Sequence, residues 1–160
     1  MENKEIKESF DILLTVCRID DNKLDIAYKQ MRDLLERLCR SQMQNESLQM
    51  TDLSARISFV AARTGLSAVE QNRLHTFRLT SNGVLNRRTE PEREKLLRDA
   101  KTLAFFLKKL SGTDIPDELY RLLPKTDATY IIAPTTRRKI ERMRVCFQHS
   151  DEHFLYVTPL

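Results

Sequence analysis

From the N-terminus to Leu123, apolar side chains return every third or fourth position, the interval of an amphipathic helix. Ile6, Phe10, Leu13, Leu14 and Cys17 predict a first helix over Glu5 to Ile19. Asp20, Asp21 and Asn22 follow with turn and N-cap chemistry, since their short side chains accept bonds from free helix N–H groups. The second helix, Lys23 to Met43, is the longest. Leu24, Ala27, Tyr28, Met31, Leu34, Leu35, Leu38 and Met43 give it a broad apolar stripe, and Arg32 and Glu36 are spaced to pair on its rim. Asn45 to Met50 is polar and reads as a loop. Leu53, Ile57, Val60 and Ala61 mark the inner face of a third helix, Leu53 to Thr64. Thr51 or Asp52 caps it and Gly65 stops it.

Ser67 followed by Glu70 is a capping-box pattern that opens a fourth helix. Within Leu74 to Asn86, helical spacing puts Leu74, Phe77, Ser81, Val84 and Leu85 on one side. Gly83 costs this helix about 1 kcal/mol relative to alanine. Either the helix loosens there or another backbone comes close. Thr89 and Pro91 fit the cap and first turn of a fifth helix, Glu92 to Leu110, whose apolar face is Leu96, Leu97, Ala100, Leu103, Ala104, Phe106, Leu107 and Leu110. Lys108, Lys109 and Ser111-Gly112 suit its end. Pro116 to Leu123 predicts one more short helix, opened by Asp114 or Pro116.

Beyond Pro124 the period changes. Ala128 to Ala133 reads as a short strand, and Arg144 to Gln148 with His153 to Val157 as a hairpin around His149-Ser150-Asp151-Glu152. Such a hairpin is marginal alone and needs a neighbour to pack on. The expected fold is all-α: an antiparallel bundle of about five helices over residues 1–112. Residues 113–160 add a short helix, a basic linker and a small C-terminal β-hairpin appendage, the expected start of a further domain.

Composition agrees with a helical globular chain. Apolar residues make up 41% and charged residues 31%, with three glycines and no tryptophan. Cys17, Cys39 and Cys146 are odd in number and show no CxxC, so they read as buried thiols in a reducing compartment. The charged start MENKEIKESF and the lack of a long apolar run give no signal peptide and no membrane span, so the expected location is cytoplasmic. The net charge of +4 is mild. It is concentrated, however: Arg137, Arg138, Lys139, Arg142 and Arg144 face a single acid, Glu141, within ten residues. This basic segment is a candidate contact for DNA or RNA. His149 and His153 match no metal-ligand spacing and read as turn residues. No metal and no cofactor is expected.

The fourth helix carries the candidate site. Arg78, Asn82 and Asn86 follow at i, i+4 and i+8, and His75 lies on the same polar arc. Arg-x-x-x-Asn-x-x-x-His near the end of a helical bundle is the signature that this row resembles. It belongs to the HEPN superfamily of small helical domains, in the branch fused to type I restriction subunits, helicases and defence proteins. AYKQMRDLLERLCRSQ is likewise similar to the long second helix of that family. Arg78 and Asn82 match; the histidine position holds Asn86.

In that family the arginine and histidine cleave RNA without metal. A guanidinium holds a phosphate and stabilises transition-state charge, and an imidazole moves protons. A carboxamide does not titrate, so Asn86 removes the proton carrier, a loss of about 10²–10⁴ in rate. What the resemblance then implies is a non-catalytic accessory module, a homodimer through the motif helix, at the N-terminal part of a larger helicase or restriction/defence protein. Catalytic residues are expected to be none; Arg78, Asn82, Asn86 and His75 are interface residues. The alternatives are nucleic-acid binding through Arg137 to Arg144, and a metal-independent ribonuclease with His75 as stand-in.

Overall fold

In the computed structural model, which describes residues 1–43 and 52–125, every regular element is helical. The helices are α1 (Asn3–Cys17), α2 (Leu24–Ser41), α3 (Leu53–Thr64), α4 (Ala68–Leu85), α5 (Arg93–Ser111) and α6 (Asp117–Leu122). The expected hairpin, the strand at 128–133 and the basic segment lie outside the described residues, as do Cys146 and the loop at 45–50.

Local chemistry sets most of the helix ends. At α3, the Asp52 carboxylate accepts from the Ser54 N–H at 3.1 Å, and Gly65 follows at φ 69°, where a side chain would be strained. At α4, Ser67 and Glu70 complete the capping box in both directions, at 3.1 and 2.8 Å. The first helix starts two residues before its expected position because Glu2 and Glu5 form a capping box of their own.

Other ends depart from expectation because distant residues set them. Arg93, the first residue of α5, donates to the carbonyls of Cys17 and Ile19 and to the Asp21 carboxylate. One guanidinium thus satisfies carbonyls at and just past the end of α1, whose helix stops at Cys17 rather than Ile19. Asp21 is spent on that contact; instead of a side-chain cap, Asp21–Lys23 form a single 3₁₀ turn leading into α2. Met43 likewise falls beyond the end of α2. Thr89 does not cap α5, whose N-cap is Glu92 without a side-chain bond. Asp114 pairs with Lys108 at 3.2 Å rather than opening α6.

Arg93 also fixes directions. α5 begins where α1 ends and α2 begins, so α5 runs against α1 and alongside α2. α4 returns against α5 through residues 86–92. Arg63, near the end of α3, reaches the Gln42 carbonyl just past α2 at 3.4 Å, so those two helices finish side by side rather than alternating. α6 docks through buried Leu119, and Arg18 pairs with its Glu118 at 2.5 Å on the surface.

A single apolar cluster joins all six helices. Leu13, Tyr28, Met31, Leu34, Leu35, Ile57, Leu74, Phe77, Leu96, Leu103, Leu107 and Leu119 are its large, fully buried members. Leu97 sits at its edge, partly buried. No helix among the described residues is long and apolar enough to cross a membrane.

Candidate functional site

The expected seam on α4 is present over most of its length. Leu74, Phe77, Ser81 and Val84 are buried, and Ser81 reaches this depth because its hydroxyl donates to the Arg78 carbonyl at 2.8 Å. Leu85 breaks the pattern: it ends the helix, beyond its packing partners, and is 39% exposed.

Beside the seam, the polar row is only partly a helical row. Arg78 and Asn82 are half-buried on α4. Asn86 is not in the helix; it is the exposed C-cap, at φ −90° and ψ 8°, and its N–H donates to the Asn82 carbonyl at 3.0 Å. Each step of four also turns the row by about 40°. The row therefore winds from the rim of the core at Arg78 to open solvent at Asn86.

The turn after α4 explains its glycine. The carbonyl of Gly83 accepts from the N–H groups of Arg88 and Thr89, at 2.8 and 3.1 Å. Arg87 is left-handed at φ 56° to make this reversal. Thr89 folds back so closely that a Cβ on residue 83 would lie 2.4 Å from its hydroxyl oxygen. The helix does not loosen at Gly83, and the close approach comes from a side chain rather than a backbone.

His75 belongs to a different contact. Its Nε2 shares a hydrogen bond with Ser58 Oγ of α3 at 3.3 Å, and Gln71 donates to the same hydroxyl at 3.5 Å. Partial burial, with the nearby Arg78 charge, lowers its pKa from the ordinary histidine value. The imidazole is thus biased towards its neutral form. The Arg78 guanidinium has a buried Nε with no hydrogen-bond partner among the described residues, a feature that Arg98 of α5 shares. Two shallow clefts on the described surface include none of this row: one of about 320 Å³ is lined by the end of α1 and the turn after it, the other of about 380 Å³ by α1 and α2. Arg32 and Glu36, the pair from the second-helix pattern, meet at 3.5 Å.

One polar cluster escaped the sequence reading. Asp99 of α5 is 3% exposed, accepts from Tyr28 Oη at 2.8 Å and from Lys95 Nζ at 2.7 Å. Burial raises its carboxyl pKa, against the pull of Lys95 and Tyr28. The available signal was spacing: Asp99 falls three residues after Leu96 and four before Leu103, on the apolar stripe itself. Cys17 and Cys39 are buried and their thiols are pushed up to about 11 and about 12 by desolvation, which disfavours the reactive thiolate. Among the described residues, no three of His, Cys, Asp and Glu gather as metal ligands.

No family model matches this chain, and no curated protein or solved structure matches it.

Proposed function

We propose that this helical unit is a non-catalytic interaction module of HEPN type, which self-associates along the polar flank of α4. Arg78 carries the proposal. A buried guanidinium nitrogen with no acceptor among the described residues is costly, and native proteins rarely leave one so. The terminal nitrogens of this half-buried guanidinium are not enclosed, and an acceptor on a second copy would meet them. Asn82 and His75 border the guanidinium, and exposed Leu79 adds apolar area. By the same resemblance, the module would serve a larger helicase or restriction/defence protein.

Sedimentation equilibrium of the chain tests self-association. The expected result is a concentration-dependent dimer; a monomer at all concentrations overturns the reading. A ribonuclease reading draws on His75 lying near Arg78, but it asks a single imidazole already bonded to Ser58 to replace the motif histidine. Cleavage of labelled RNA in EDTA that is lost in both Arg78→Ala and His75→Ala would favour that reading instead.

A further inference from the structure

α5 has an outward face used neither by the core nor by the α4 row. At about 100° per residue, Lys101, Phe105, Lys108 and Lys109 share one arc, opposite Leu96, Leu103 and Leu107; Phe105, Lys108 and Lys109 are exposed, Lys101 is half-buried, and Arg98 at the arc's start has its Nε buried. Phe106 is buried, whereas Phe105 beside it is 43% exposed. Around that ring, at the neighbouring helical positions, stand only Thr102 and the three lysines. The Lys101 ammonium lies 6.0 Å from the ring centroid.

Charge along this face is one-sided. Between Arg98 and Lys109 the single acid is Asp99, and it is turned inward to Tyr28 and Lys95. Glu94 bounds the lane one turn earlier. Asp114 pairs with Lys108, but both partners are exposed, so the pair is weak and exchanges readily for another anion. The lane from Arg98 to Lys109 is about 16 Å long, enough for a few nucleotides.

We propose that this face binds single-stranded nucleic acid, with Phe105 stacking on one base and Lys101, Lys108 and Lys109 meeting the flanking phosphates. The ring decides between anionic polymers. An acidic peptide uses the cations but has no need of an outward aromatic, and a duplex hides its base faces from one. A single strand uses both. Its residues are separate in sequence from the α4 row and from the basic stretch at 137–144.

Fluorescence anisotropy with labelled oligothymidylate and the full chain, from ~50 to ~300 mM salt, tests it. Three phosphate contacts predict that log K falls with log salt at a slope of about −2. Phe105→Leu should weaken binding about 10-fold, and Phe105→Tyr should keep it. Lys108→Gln with Lys109→Gln should flatten the slope by about 1.4. These positions are exposed, so melting should be unchanged; Lys109→Gln alone reads the lane even if a Phe105 variant melts early. Absence of binding at low salt overturns the proposal. So does binding whose affinity and slope ignore these substitutions, which would assign it elsewhere, such as 137–144. A Glu-rich peptide that binds more tightly than the oligonucleotide, and loses affinity in the same variants, would assign the face to a protein partner.

Discussion

Two polar groups of side chains flank Phe77, and they are built in opposite ways. On one side, the Phe77 ring stacks on Tyr28 with centroids 6.2 Å apart, and Tyr28 leads to Asp99 and Lys95. There the hydroxyl has its acceptor and each carboxylate oxygen has a donor, within a wall of leucines. On the other side stands Arg78, next in sequence, with a buried nitrogen unmet and its neighbours Asn82 and His75 half open to solvent. The Tyr28–Asp99–Lys95 network is closed in itself, although Arg98 beside Asp99 also has a buried, unmet Nε; what sets the Arg78 side apart is the half-exposed Asn82 and His75 around it. An open network costs stability in the isolated chain, which is reason to look for what completes it.

The sharpest break of this contrast is at the ring between the two groups. Phe77→Ala should cost about 3–5 kcal/mol in a denaturant titration, because it empties a fully buried site and removes the stack on Tyr28. A loss below ~1 kcal/mol would mean that the core does not close around it. Next comes the closed network. Asp99→Ala strands the buried Tyr28 hydroxyl and should cost about 1–3 kcal/mol. Tyr28→Phe, which removes the donor and leaves Lys95 on Asp99, should cost less.

The two groups should also respond to pH with opposite sign. Asp99 has a folded pKa above its unfolded one, so the stability it contributes is full below the unfolded pKa near 3.8 and is lost as pH rises through the folded value. His75 has a folded pKa below its unfolded one, so its contribution is present above 6.5 and lost as pH falls through the folded value. Urea midpoints compared with Asp99→Asn and His75→Gln across acid to neutral pH should show these two slopes disappearing separately. Both variants following the wild-type curve would contradict the assignment.

How much of this was readable beforehand depends on how local the cause is. α3 occupies Leu53–Thr64 as its sequence predicts, because Asp52 and Gly65 sit within a turn of the ends they control. α1 is displaced because its end is governed by Arg93, which is remote in sequence and reveals nothing of its target. Asp99 was concealed by its surroundings: a carboxylate on an apolar stripe is legible as an anomaly, but its partner Tyr28 looks like one more core residue. Arg78 and Asn82 were legible as a flank of α4. That Asn86 leaves the helix was not, because the reversal depends on Arg87 in the left-handed region and Thr89 lying over Gly83.

The central claim is that Arg78 is held for a partner rather than for the fold. The most direct test pairs sedimentation with thermal melting of wild type and Arg78→Ala. Removing a side chain whose buried nitrogen bonds nothing among the described residues breaks no hydrogen bond there, so the melting temperature should change little. The dimer should weaken about tenfold or more, as expected when an interface arginine is truncated. A variant that sediments like wild type, or that keeps its dimer but melts far lower, would show the guanidinium to be part of the scaffold.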